Sequence, residues 1–166
     1  MNRNAKVILA CAILVLCADF ASKWLVQSRL ALHESVRLLP GIALTYVMNP
    51  GAAFSMFADW PTAIRLPLFL AVTIVALWAV WHYWKSLQGS DALSALALGL
   101  IVGGALGNLV DRLRYHEVVD FIEVGVRGVY TWPVFNVADS AVCVGVAFLC
   151  YRSFRPLPGL DTRENL

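Results

Sequence analysis

Four stretches of the chain stay apolar long enough to cross about 30 Å of hydrocarbon, a distance that takes about 20 helical residues. They cover residues 6–25, 66–84, 92–110 and 134–154. The connection between the first two, residues 26–65, is too long for a turn and too apolar for a linker. Within it Ile42, Leu44, Tyr46 and Met48 alternate with Ala43, Thr45 and Val47, a period of two that predicts a strand ending at the turn Asn49-Pro50-Gly51. Residues 52–60 are apolar and aromatic, which suits a short segment lying in the membrane interface. The connection at 111–133 behaves similarly, because residues 118–130 are rich in β-branched side chains and are interrupted by Gly125 and Gly128. Only a brief turn, 85–91, joins the second and third spans. One membrane face is therefore expected to carry a small β-rich cap and the other almost nothing. The tail, 156–166, contains Pro156, Pro158 and Gly159 and is expected to be disordered. No internal repeat is visible, which counts against inverted-repeat transporter plans.

Composition narrows the class. A chain of 166 residues allows one domain, and 60% hydrophobic with 14% charged residues excludes an ordinary soluble core. A net charge of +2, scattered along the chain, does not suggest a nucleic-acid partner. Cys11, Cys17, Cys143 and Cys150 lie in apolar runs without metal-site spacing, and are expected to be small buried hydrophobes. Arg3 and Lys6 ahead of an apolar run also resemble a signal peptide, but Leu16 and Cys17 make a poor cleavage site and the helical pattern continues to Leu25. Four spans put both termini on one side. Lys and Arg are nearly balanced, six on the side of the termini against seven opposite. The basic flanks of the first and last spans favour termini in the cytoplasm.

The chemistry is concentrated in carboxylates and amides set in apolar surroundings. A carboxylate in hydrocarbon costs about 2.5 to 3.5 kcal/mol on insertion scales, so it persists where it faces a protein interior. Asp120 lies in Val118-Val119-Asp120-Phe121-Ile122, and Asp139 in Phe135-Asn136-Val137-Ala138-Asp139-Ser140. Two such residues make an acid/base pair conceivable. Asn136 and Asp139, three apart, face the same way, although an N-terminal helix cap would explain that pair alone. Asp19 and Lys23 are spaced i, i+4 on one helix face, either as a snorkelling interfacial pair or as part of a polar pocket. Gly99, Gly103 and Gly107 lay a smooth packing stripe on the third span. Just beyond, Asn108 and Arg112 share a face, with Asp111 beside them. They could orient a backbone or ester carbonyl, or Asp111 and Arg112 could simply end the helix in water. His33, His82 and His116 are scattered and read as interfacial, and no serine pairing has persuasive spacing.

In this order and spacing, Asp19-Phe20-Ala21-Ser22-Lys23, Asn49-Pro50-Gly51-Ala52-Ala53-Phe54-Ser55, Gly103-Gly104-Ala105-Leu106-Gly107-Asn108-Leu109-Val110-Asp111-Arg112, and the two segments around Asp120 and Asp139 resemble the lipoprotein signal peptidases, or signal peptidase II. The resemblance covers nearly the whole chain. It implies an α-helical membrane protein of four transmembrane helices with an extracytoplasmic β-cradle and an interfacial helix. It implies an aspartic endopeptidase of the bacterial inner membrane that needs no metal or cofactor. Asp120 and Asp139 would be its catalytic dyad, with Asn49, Asn108, Arg112, Asn136, Asp19 and Lys23 supporting it. The implied partners are diacylglyceryl-modified prolipoproteins and membrane lipids, acting on a monomer, with the site at the outer face. Two other classes keep intramembrane acids. A proton-coupled transporter should place them near the midplane, and a Mg²⁺-dependent lipid phosphotransferase should carry a denser acidic motif.

Overall fold

The computed structural model describes residues 2–51, 56–87, 91–126, 128 and 130–154. Helices α1 (Arg3–Arg29), α2 (Thr62–Ser86), α3 (Ala92–Tyr115) and α4 (Val137–Phe154) alternate with strands β1 (Ser35–Leu39), β2 (Ile42–Asn49), β3 (Val118–Val126) and β4 (Tyr130–Thr131). All four helices are long and apolar enough to span a membrane. Their outward residues are large hydrophobes such as Leu14, Trp24, Ile74 and Trp78, at 60% exposure or more. That surface is stable only against lipid.

Helix α3 is the hub. Half of its apolar window is buried, against 17% for each of the others. The glycine stripe is the reason. A Cβ at Gly99 would stand 2.6 Å from Cys11 Cβ, and one at Gly103 would stand 2.7 Å from Val15 Cβ, so α1 lies parallel to α3 at backbone contact. On another side Gly104 abuts Ala138 and Gly145 abuts Ala97, which packs α4 antiparallel to α3. At the opposite end from the sheet, Asp91 caps α3 through Ser94 N (3.1 Å) and accepts from Arg152 Nε of α4 at 2.8 Å.

The strands form one antiparallel sheet in the order β1-β2-β3-β4. The period-two stretch forms β2, with a register shift between Leu44 and Val47. β1 was not anticipated, because Ser35–Leu39 carries no clear alternation of its own and becomes a strand by pairing with β2. Helix α3 overruns its expected end at 110, reaching Tyr115 before His116 adopts a left-handed conformation (φ 62°) that turns the chain into β3. Helix α4 starts later than expected. Phe135 exchanges backbone hydrogen bonds with Ile122 (2.7 and 3.1 Å), so residues before Asn136 extend β3's pairing instead of the helix.

Three further expectations change. The 52–60 segment falls partly outside the described residues, and 56–60 are turns, with Phe57 left-handed at φ 64°. Arg65, expected in the connection, is buried in the first turns of α2, where it donates to Ala58 O (3.0 Å) and His116 O (3.5 Å). Of the cysteines only Cys11 is buried; Cys17, Cys143 and Cys150 lie on the outward helix surfaces, where lipid satisfies an apolar thiol as well as a core does. The tail and residues 88–90 of the second connection lie outside the described residues.

Candidate active site

Asp120 and Asp139 meet where the sheet joins the helices. Asp120 projects from β3, whose start is held against α3 by Asp111 Oδ2 accepting from Val119 N at 3.1 Å. Its Oδ2 accepts from Asn49 Nδ2 at 2.8 Å and its Oδ1 from Asn136 Nδ2 at 2.7 Å. Asp139 sits in the first turn of α4. Its Oδ1 accepts from Asn108 Nδ2 at 2.7 Å and its Oδ2 from the Asn136 backbone N–H at 3.2 Å, while Asn136 Oδ1 accepts from Asp139 N at 2.8 Å. The last two bonds form a reciprocal capping box, which satisfies two otherwise orphaned donors of α4. Because Asn136 Oδ1 is committed to that cap, its NH₂ group must face Asp120. It also donates to Asn108 Oδ1 at 3.1 Å.

Behind the two acids lies a charged strut. Lys23 Nζ is 2.7 Å from Asp19 Oδ2, 2.8 Å from Asp111 Oδ2 and 3.3 Å from Asn108 Oδ1. Asp19 Oδ1 accepts from Ala138 N of α4 at 3.0 Å. Asp19, Lys23 and Asp111 are all at 5% exposure or less. Such a group is costly to break, about 3 to 5 kcal/mol for loss of one partner, because it leaves a buried charge unpaired. The strut joins α1, α3, α4 and β3 directly beneath the acids. Gly107 makes room for it: a Cβ there would stand 2.6 Å from Asp19 Oδ2.

Burial, reinforced by the charge of Asp139, pushes the Asp120 carboxyl up to about 7, against the weaker pull of the Asn49 and Asn136 hydrogen bonds and of Lys23. Arg112 closes the other side. It donates to Asn108 O and Gly51 O, each at 3.4 Å, and its guanidinium lies 4.7 Å over the Phe69 ring.

The structure brings Asp120, Asp139, Asn49, Asn108, Arg112, Asn136, Asp19 and Lys23 into one connected hydrogen-bond network. The Asp19–Lys23 pair is interior, not snorkelling. Asn136 is indeed a helix cap, yet capping and contact with Asp120 use opposite ends of the same amide. Asp111, for which the sequence allows a solvated helix end, is buried and paired. The signal for it was present, since Asp111 continues the four-residue period of Gly99, Gly103 and Gly107 along the face that meets α1. Among the described residues no group of three or more His, Cys, Asp or Glu side chains is arranged to hold a metal ion.

The family model for signal peptidase (SPase) II matches residues 11–155, a stretch that holds every one of these side chains. The chain belongs to the signal peptidase II family. It is accordingly a protease of the multi-pass membrane type. A lipoprotein signal peptidase of Geobacter sulfurreducens is 45% identical over 141 residues, covering 84% of this chain and 86% of its own. One from Nitratidesulfovibrio vulgaris is 40% identical over 167 residues, covering 99% of each. A solved bacterial membrane enzyme, determined by the in meso method, superposes with a TM-score of 0.81 at 26% identity, over 96% of this chain and 94% of that one. The four helices and the sheet are thus shared with a solved membrane enzyme.

Proposed function

We propose that this chain cleaves diacylglyceryl-modified prolipoproteins just before the lipidated cysteine, with Asp120 and Asp139 as the catalytic dyad. The observation that carries the reading is the shared amide of Asn136, which binds Asp120 while capping the helix that presents Asp139. Two carboxyls in one pocket hold a single proton between them. The ionised member takes a proton from water as the oxygen attacks the scissile carbonyl, and the protonated member donates to the carbonyl oxygen. Asn49, Asn108 and Arg112 contribute oriented donors around the reacting groups, while Asp19 and Lys23 hold the site from behind.

The position of the site supports this substrate. Two acyl chains gain about 0.8 kcal/mol per buried methylene and so anchor the scissile bond near headgroup level. Asp120 lies on β3 and Asp139 in the first turn of α4, so the acids stand at the sheet end of the helices, which suits such a substrate better than a site halfway along the spans, where a transporter would need them. On this reading the protein is a monomer in the bacterial inner membrane, its termini are cytoplasmic and the sheet is extracytoplasmic.

The test is cleavage of a diacylglyceryl-modified prolipoprotein by purified wild-type, Asp120→Asn and Asp139→Asn proteins, with chelator throughout. Cleavage by wild type, with a loss on the order of 10³-fold or more in both variants, is expected. Full activity in either folded variant would remove that aspartate from the dyad. Cleavage abolished by chelator would move the chemistry to a metal.

A further inference from the structure

Asp120 and Asp139 are equivalent in name but not in setting. Asp139 closes a capping box at the positive end of the α4 dipole, which favours a carboxylate there. Its other oxygen accepts from Asn108 Nδ2, and Asn108 Oδ1 in turn accepts from the Lys23 ammonium. A cation on the oxygen end polarises the amide and strengthens the N–H it offers at the far end. Asp139 also keeps partial exposure. Asp120 lacks the capping box, the helix dipole and the Lys23-polarised donor. It is 2% exposed, stands on a strand without a helix dipole, and meets only the neutral amides of Asn49 and Asn136.

Resting on the dyad reading above, we propose that the single proton of the resting site sits on Asp120 and the charge on Asp139, and that Asn108, its amide polarised by Lys23, is the positioning residue that fixes this order. The charged groups around the pair are Asp19 and Lys23 from α1 and Asp111 and Arg112 from α3. Lys23 is the member of that set in contact with Asn108 Oδ1. The upward displacement of the Asp120 carboxyl agrees with the order.

The order makes the reaction directional. Water gives a proton to Asp139 as its oxygen bonds to the scissile carbon, and the Asp120 proton passes to the carbonyl oxygen, leaving a neutral gem-diol. As the C–N bond breaks, Asp139 returns its proton to the departing nitrogen and a gem-diol hydroxyl returns one to Asp120. The products are a carboxylic acid and an amine, and the dyad regains its starting state.

Each aspartate has one private amide donor, so the two can be addressed separately. The pH profile of kcat for prolipoprotein cleavage should be bell-shaped. Its acid limb reports the base losing its proton, and its alkaline limb reports the acid losing its own. Asn108→Ala, which removes a donor from Asp139 alone, should move the acid limb up by about one pH unit and leave the alkaline limb in place. Asn49→Ala, which removes a donor from Asp120 alone, should move the alkaline limb up instead. Lys23→Met removes a cation that acts on Asp139 through Asn108 and on Asp120 through space, so it should move both limbs up, with lower kcat and little change in KM. The opposite assignment of limbs, or both limbs moving together in Asn108→Ala and in Asn49→Ala, would overturn the proposal while leaving the dyad reading intact. A wild type without cleavage, or an active Asp120→Asn or Asp139→Asn protein, would sink both.

If a variant fails to fold, wild-type protein labelled with ¹³C at its aspartate carboxyls gives the same decision. The resonance that titrates near pH 7 should be the one absent from Asp120→Asn and present in Asp139→Asn. The reverse would overturn the order.

Discussion

Asp120 ties stability to pH through one proton. Its folded value of about 7 stands above the ordinary 3.8, so between those values the folded protein keeps a proton that the unfolded chain has released. Stability therefore falls as pH rises through this window and levels off above about 7. Thermal scans of the detergent-solubilised protein should show the melting temperature declining across that window in wild type. The decline should be absent in Asp120→Asn, although an asparagine there costs one of the two amide donors its acceptor; the slope with pH is the readout. A slope of equal size in both proteins would mean another group carries the linkage. Lys23 teaches a different lesson at the same scale. A lone lysine near a span end reads equally well as a snorkeller, and only Asp111, brought from far along the chain, makes it an interior charge.

Among the elements, α3 packs against α1 by glycine and against α4 by glycine and alanine, and the two ends of this packing do different work. Gly103 is remote from the acids and close to Val15, so Gly103→Val should destabilise the protein by about 1 to 3 kcal/mol through overpacking, and leave kcat of the protein that folds nearly unchanged. Gly107 abuts Asp19, so Gly107→Ala should lower kcat as well, because it displaces the strut on which Asn108 rests. Equal kcat losses in both variants, measured with the folded fraction known, would argue against that division. At the far end, Asp91→Ala removes a cap and a bond to Arg152 and should cost about 1 kcal/mol in unfolding assays without changing kcat. Helix existence and the β2 strand were legible in the sequence because each rests on a local pattern. Element ends were not, because Phe135's pairing with Ile122 and Asp111's bond to Val119 are contacts between distant segments.

At the scale of the molecule, all of the sheet lies at one end of the helices, and its orientation across the membrane is a separate matter from its fold. With the four native cysteines replaced, a single cysteine at Leu38 in β1 should react with an impermeant thiol reagent from outside intact cells, or spheroplasts where an outer membrane intervenes. One at Lys85, at the end of α2, should react only after the membrane is opened. Labelling in the opposite sense would place the termini outside and the site on the cytoplasmic face. The near balance of basic residues between the two sides is the physical reason that sequence alone leans on the flanks of two spans for this assignment.

Resemblance to the family grouped the acids and amides. Hydropathy and spacing by themselves determined that the chain is a four-span membrane protein with a β-rich cap on one face, and that its apolar segments carry carboxylates in need of an interior. These follow from quantities local to the chain: the length of an apolar run, a period of two, and carboxylates too costly to leave in hydrocarbon. Which end of each amide faces which aspartate, that Lys23 is shared by two acids, and that Asp120 and Asp139 sit in unlike electrostatic settings were decided only by the tertiary structure. Those properties depend on the direction of hydrogen bonds and on the exclusion of water, and neither exists until α1, α3, α4 and the sheet have closed on one another.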